Sequence, residues 1–359
     1  MEKFRERIKT IVRYFIAQKT NLEVRRFNKK DNTPKFSYIK NVWNKNYSWD
    51  YYYQRHSNSE RSKYYVPYDY YTYKVQPYLN NNEYSLYVFD KNMYDKVFGN
   101  MGVKLPKTFF RCYNYVYMDG SYCNIDDINS YVSNIDHNII IKMANHTSGG
   151  KDVEKYIFKN GKLIHAGNNK EFNVEELKNK FDGNFIVQEE IIQHKDLAKF
   201  HPYSLNSLRI ESYRSVVTNE VHVLMGAMRF GSNKSFVDNV SNGGYAVGIK
   251  IDNNNEAKLR EFCFQPFSND KFSFHADTGI KFKDSIIPNF PLVVEAVKKL
   301  SNAIAYQRVI SWDFSVDEEG KPVLIELNKT GGIWGPQELN EAPFFGKFSE
   351  EVKEYLDKI

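Results

Sequence analysis

Two carboxylates and an amide at fixed spacing stand near the C-terminal end of the chain. The segment reads VISWDFSVDEEGKPVLIELN over residues 309–328, with apolar runs Val309 to Val316 and Val323 to Leu327 flanking a turn that contains Gly320. This is the pattern of a β-hairpin. Centring the turn between Glu319 and Gly320 puts Asp313 opposite Glu326. Side chains alternate faces along a strand, so Asn328 shares the face of Glu326. Two carboxylates opposed in a sheet repel each other, and burying them unpaired is costlier still. A divalent cation removes both penalties, and an all-oxygen set suits Mg²⁺, which commonly takes one or two carboxylates plus nucleotide phosphates. The same pair could instead face solvent on an edge hairpin or bind arginines, and a slip of one residue in register would separate it. The following Lys329-Thr330-Gly331-Gly332 would let the chain turn sharply beside a ligand.

A second hairpin, SLRIESYRSVVTNEVHVLMGAMRFG, spans residues 207–231 and turns at Thr218-Asn219-Glu220. Centring it on Asn219 predicts Arg209 opposite Arg229. Two guanidinium groups on one face call for an anion between them, and Arg suits bidentate recognition of phosphate or carboxylate. Each Arg could also pair with an acidic neighbour such as Glu211 or Asp238. Upstream, the apolar run Ile139-Ile140-Ile141 ends in Lys142 and leads to His146-Thr147-Ser148-Gly149-Gly150-Lys151. This is not a Walker loop, because the spacing fails and a strand follows. A Gly-rich loop joining antiparallel strands can close over phosphates with its backbone N–H groups. It could equally be a plain turn, and Lys142 a snorkelling strand residue.

The elements that must carry these residues are legible in outline. Residues 3–20 form a basic amphipathic stripe that predicts a helix packed on the N-terminal lobe or lying on an anionic membrane surface. Residues 21–85 are aromatic-rich without clear periodicity. Strands are expected at Ser85 to Phe89 and Thr108 to Tyr113, with a helix from Lys91 to Asn100 between them. Residues 138–195 predict an α+β lobe, with strands at Asn138 to Met143, Lys155 to Phe158, Lys162 to His165 and Phe185 to Glu190 and a helix from Asn173 to Lys180. Residues 205–330 are strand-rich, with a helix at about Leu292 to Tyr306.

The chain has 359 residues and is 42% hydrophobic, enough for two or three packed lobes. No apolar run of about 18 residues is present, so a spanning helix is not expected. The charged N-terminus lacks a signal-peptide core, which predicts a cytoplasmic protein, with contact at the inner face of the cell membrane through the basic helix. Three cysteines without a CxxC pair read as reduced thiols. The net charge is +6, of which residues 1–35 carry eleven Lys/Arg against four Asp/Glu, a local +7. The body is therefore near neutral, which argues against a nucleic-acid partner.

These motifs in this order resemble the ATP-grasp superfamily. The texture NSLRIESY, AMRFG, VDNVSNGG, HADTG, WDF and IELN looks like its sugar-transfer-associated branch, over about residues 86–345. The resemblance implies an α+β ATP-grasp fold in which two α+β lobes clasp ATP. The expected divisions are an N-terminal extension (1–85), an N-terminal lobe (86–137), a lid lobe (138–195) and a C-terminal lobe with the metal site (196–359). It implies that Lys96 and Lys142 hold ATP phosphates, with Lys91 as a substitute for Lys96. Ser148, Gly149 and Gly150 would form the lid. Gln188, Glu189, Glu190, Ile191 and Ile192 would form the adenine hinge, and Asp196 would bind ribose. Arg209 and Arg229 would contact the γ-phosphate or an acyl-phosphate. Asp313, Glu326 and Asn328 would hold one or two Mg²⁺, or Mn²⁺ in their place. Asp238, Asn239, Gly243 and Gly244 would line the substrate side.

The implied activity is ATP-dependent carboxylate–amine ligation through an acyl-phosphate, with small-molecule acid and amine partners, sugar- or amino-acid-linked, in surface polysaccharide biosynthesis. A phosphotransferase acting on a hydroxyl and a non-catalytic nucleotide-binding module are the alternatives.

Overall fold

A computed structural model describes residues 12, 43, 64–81, 83, 89–145, 153–240, 243–264, 271–328 and 332–359. The expected N-terminal helix (apart from Val12), the strand expected before Phe89 and the Gly-rich loop with Ser148, Gly149 and Gly150 lie outside these residues.

Among the described residues, fourteen strands form two seven-stranded sheets, and every pairing between neighbouring strands is antiparallel. The first holds β1 (Thr108–Tyr113), β2 (Tyr115–Met118), β3 (Ser121–Cys123), β4 (Ile139–Met143), β5 (Val153–Lys159), β6 (Lys162–His165) and β7 (Asn184–Glu189), in the order β3-β2-β1-β7-β4-β5-β6. It crosses the division expected at residue 138, because β1 pairs directly with β7. The second holds β8 (Ser207–Arg214), β9 (Val221–Phe230), β10 (Tyr245–Ile251), β11 (Ala257–Phe264), β12 (Lys271–Phe272), β13 (Val309–Val316) and β14 (Pro322–Asn328), in the order β12-β11-β10-β9-β8-β13-β14.

Each sheet buries one face against helices. The helix Phe290–Ala303 has apolar residues at Phe290, Val293, Val294, Val297 and Leu300, the spacing of a single stripe. That stripe packs on Leu208, Ile210, Met228, Ile310, Trp312 and Phe314 of the second sheet. Burying each of these side chains contributes about 1.5–3 kcal/mol. Since period-2 alternation sends Leu208, Ile210, Trp312 and Phe314 to this core, it sends Ser207, Arg209, Glu211, Ser311 and Asp313 to the opposite face. The short helix Tyr94–Phe98 joins the same core, with Phe98 edge-on to Trp312 at 6.3 Å. The first sheet has its own core, in which Phe110, Phe185 and Val187 meet Ile128, Val174 and Leu177 of the helices Ile125–Val132 and Val174–Lys180.

Sequence reading assigned nothing to residues 114–137, where β2, β3 and the helix Ile125–Val132 lie. These strands are three or four residues long, too short for alternation to register.

Candidate active site

Between the two sheets lies a cavity of about 200 Å³. One wall is the first sheet's Ile140, Lys142, Val153 and Gln188, and the other is Ser207, Arg209, Arg229, Asp313, Glu326 and Asn328 of the second.

Asp313 is paired with Glu326 on β14, as the hairpin reading predicts, and with Arg209 on β8. Arg209, Asp313 and Glu326 therefore form one row across three adjacent strands. A bulge after Asp313 shifts the pairing to Phe314 opposite Leu324, and Ile325 joins Glu326 in lining the cavity. The next row holds Glu211, Ser311 and Asn328.

Asp313 is 3% exposed, and its carboxylate accepts bonds from Arg209 Nε (2.6 Å) and Nη2 (2.8 Å) and an ion pair from Arg229 Nη2 at 3.0 Å. Burial alone would raise its pKa, but the two guanidiniums hold it below the ordinary carboxylate value. The same pairing keeps Arg209 charged against its own burial. Glu326 pairs with Lys91 Nζ at 2.9 Å. Lys142, beside them, is lowered to about 8 by burial and by the charge of Lys91, with Glu326 pulling the other way. With Glu189 and Asp238, which also line the cavity, four cations balance four carboxylates, and the cations gather around Asp313 and Glu326, where guanidinium and ammonium groups can hold an anion.

The expected opposition of Arg209 and Arg229 is corrected. Arg209 pairs with Ala227, and Arg229 with Ser207. The turn occupies residues 215–220, so Arg214 pairs with Val221, three residues off the expected register, and a bulge between Glu211 and Ser212 takes one of the three back. The net displacement is two residues, so both arginines keep the same face and both reach Asp313.

Lys96 is also corrected. It is 64% exposed beside Asp95, at 3.7 Å, and Lys91, 5% exposed, takes the place in the cleft. Asp90 accepts from Asn92 N (2.9 Å) and caps the turn Lys91–Met93, so Lys91 enters the cleft while the helix Tyr94–Phe98 carries Lys96 outward.

In the expected hinge, Glu189 and Ile191 line the cavity. Glu190 instead binds Lys155 (2.5 Å) and Asn138 (2.8 Å), and Ile192 is 63% exposed, because an extended chain alternates its side chains. Asp196 lies away from the cavity, 3.5 Å from Lys199 and 3.6 Å from His194. Asp238 and Asn239 line the cavity with Leu205, Phe236 and Val237. Gly243 and Gly244 support that loop without lining it; a Cβ on Gly244 would sit 2.9 Å from the Asp238 carbonyl.

Three further polar groups belong to the site, of which Ser207 alone escaped the sequence reading. Gln188, 6% exposed, lines the cavity with an Oε1 that has no hydrogen-bond partner among the described residues. Ser207 touches both Arg229 and Asp238. Glu211 is 2% exposed and pushed up to about 7 by burial, partly offset by Arg209 and by the Ser311 hydroxyl bond at 2.5 Å. For Ser207 the only available signal was a polar residue alternating with apolar ones on a strand.

The family model described as sugar-transfer associated ATP-grasp matches residues 71–353. The chain belongs to this family. Solved structures are similar to the chain at low identity. ATP-grasp ligase PsnB complexed with minimal precursor, Mg and ADP is 9% identical, with 78% of this chain and 62% of that one covered and a TM-score of 0.43. VanG D-Ala:D-Ser ligase from Enterococcus faecalis is 13% identical, with 76% and 62% covered and a TM-score of 0.41. The ADP complex of N5-carboxyaminoimidazole ribonucleotide synthetase is 10% identical, with 75% and 52% covered and a TM-score of 0.41. The chain spans less than two thirds of the length of each. No curated protein matches the sequence. Among the described residues of this family member, no helix is long and apolar enough to cross a membrane.

Proposed function

We propose that this cleft binds Mg-ATP and ligates a carboxylate to an amine. The observation that carries the reading is the row Arg209–Asp313–Glu326, flanked by Arg229, Lys91 and Lys142. Each carboxylate is matched to a cation whose natural alternative partner is phosphate. A polyphosphate would draw Lys91, Arg209 and Arg229 to itself and leave Asp313 and Glu326 oxygens for a divalent ion. Two carboxylates and the Asn328 amide fit Mg²⁺ that shares its remaining positions with phosphate and water. Mn²⁺ would fit the same donors, and one or two ions are compatible with them.

Bound Mg²⁺ would neutralise phosphate charge and polarise the γ-phosphoryl group. Lys91 and Lys142 would hold the phosphate oxygens. Ile140, Val153 and Ile191 would enclose the base, with Gln188 Oε1 and the backbone near Glu189 as its polar partners. Arg209 and Arg229 would steady the phosphoryl group as it passes to an acceptor carboxylate, releasing ADP. An amine then attacks the acyl carbon; phosphate leaves, a proton is lost and an amide remains. The same arginines would stabilise the tetrahedral oxyanion. Ser148, Gly149 and Gly150 would close over the phosphates. The acceptor end, with the apolar Leu205, Phe236 and Val237 beside Asp238 and Asn239, suits a sugar- or amino-acid-linked substrate, and the family description supports a role in surface polysaccharide synthesis.

The test is ADP formation by Asp313→Asn and Glu326→Gln. Each should lose at least about 10²-fold of Mg-dependent turnover with an unchanged circular dichroism spectrum. Unaltered turnover in both overturns the assignment. Phosphate and ADP released only when acid and amine are both present separates ligation from transfer to a hydroxyl.

A further inference from the structure

We infer that the Ser207 hydroxyl is a positioning group that couples the acceptor-side loop to Arg229. The inference rests on the nucleotide reading above and adds a residue and a route that it does not contain.

Ser207 opens β8 opposite Arg229 and is 3% exposed. A serine hydroxyl offers one proton and two lone pairs, and here all three are engaged. The oxygen accepts from Arg229 Nε at 2.9 Å and from Nη2 at 2.6 Å, while the proton goes to the Asp238 carboxylate. Asp238 Oδ2 also accepts from the Ser207 backbone N–H at 2.9 Å. Arg229 Nε also stands 3.7 Å from that same carboxylate, an ion pair too long for a hydrogen bond, so the hydroxyl makes the hydrogen-bonded link. At its other end Arg229 meets Asp313 at 3.0 Å. A continuous polar chain, Asp238–Ser207–Arg229–Asp313, thus runs from the acceptor loop to the carboxylate row.

The loop is built to transmit a pull on Asp238. Gly244 N–H donates to Asn239 carbonyl at 3.1 Å, and Ser232 Oγ donates to the Gly243 carbonyl at 2.8 Å. A Cβ on Gly244 would stand 2.6 Å from the Phe230 carbonyl, so loop and β9 are in close contact. If an acceptor takes up Asp238, the Ser207 proton loses its partner, the hydroxyl rotates and its lone pairs leave Arg229. If phosphate draws Arg229 away, the hydroxyl is freed in the opposite sense. The coupling is reciprocal, as any linkage between two binding events must be. Aligning the phosphate-end arginine would then depend on the state of the acceptor loop.

The experiment is amide hydrogen exchange in the full chain with and without Mg-AMPPNP, with affinity measured by calorimetry. In the wild type the nucleotide should alter exchange across residues 233–240. Ser207→Ala should bind Mg-AMPPNP with similar affinity but lose that loop response, and Ser207→Thr, which keeps the hydroxyl, should restore it. Asp238→Asn should behave like Ser207→Ala, and combining the two should add nothing to either alone; it also decides the matter if Ser207→Ala does not fold. An undiminished loop response in the Ala and Asn variants overturns the coupling and leaves the nucleotide reading intact. Absence of Mg-AMPPNP binding by the wild type overturns the nucleotide reading, and Ser207's role with it.

Discussion

Lys91 and Lys96 sit on one short helical segment, yet a single cap decides which of them meets the carboxylates. Asp90 starts the turn at Lys91, so Lys91 is buried against Glu326 and Lys96 points to solvent. Lys91→Met should weaken Mg-AMPPNP binding at least about tenfold, or ~1.4 kcal/mol, whereas Lys96→Met should change it by less than about twofold. Equal losses by calorimetry would reject the assignment. Lys142 gives a pH test. Its ammonium is lowered to about 8 by burial and by Lys91, so in the free protein the charge is present below that pH and lost above it. Nucleotide affinity should fall as pH rises through this value. Lys142→Arg, whose guanidinium stays charged, should flatten the fall. A wild-type Kd that stays constant from about pH 7 to about pH 9 would contradict the role.

The β13–β14 hairpin is the element that sets the carboxylate row, and its turn depends on Gly320. That residue has φ +82°, its carbonyl accepts from Asn289 Nδ2 at 2.8 Å, and an added Cβ would lie 2.3 Å from the same nitrogen. Gly320→Ala should cost at least about 1 kcal/mol, seen as a lower Tm. Turnover should fall as well, because the turn fixes the register that brings Asp313 opposite Glu326. A Tm equal to wild type would show that the turn relaxes freely. This hairpin was legible because alternation and turn composition are local, although its turn pairs Val316 with Pro322, one residue off the expected centre, and the bulge at Ile325 is what puts Asp313 opposite Glu326. The bulge at Ile325 was not, since one extra apolar residue in an apolar run leaves no mark on the pattern. In the β8–β9 hairpin the turn begins earlier than its Thr218-Asn219-Glu220 signature suggests, a shift of three, and a second bulge takes one back. The faces survived because the error was even.

At the scale of the molecule the cleft lies between two separately packed cores, one for each sheet. A nucleotide held by Lys142 on one side and by Arg209, Arg229 and Glu326 on the other would bridge them. Urea unfolding of the free protein, followed by hydrogen exchange, should show the first sheet opening before the second. Saturating Mg-AMPPNP at about 100 times its Kd should stabilise the folded state by about 2.7 kcal/mol and bring the two transitions together. Protection confined to one sheet would show that the ligand does not span the cleft.

The sequence by itself determined what is local: which strands alternate, which residues share a face, and that Asp313 and Glu326 stand on the two strands of one hairpin. Family membership followed from the same motifs in order. Only the tertiary structure decided what depends on segments far apart in the chain. It set β8 beside β13, so that Arg209 holds Asp313, chose Lys91 over Lys96, turned Glu190, Ile192 and Asp196 away from the cavity, and joined Ser207 to Asp238. The physical reason is that hydrophobic periodicity reports which side of an element is buried. Which polar groups then meet is set by how the elements dock and by bulges that periodicity does not encode.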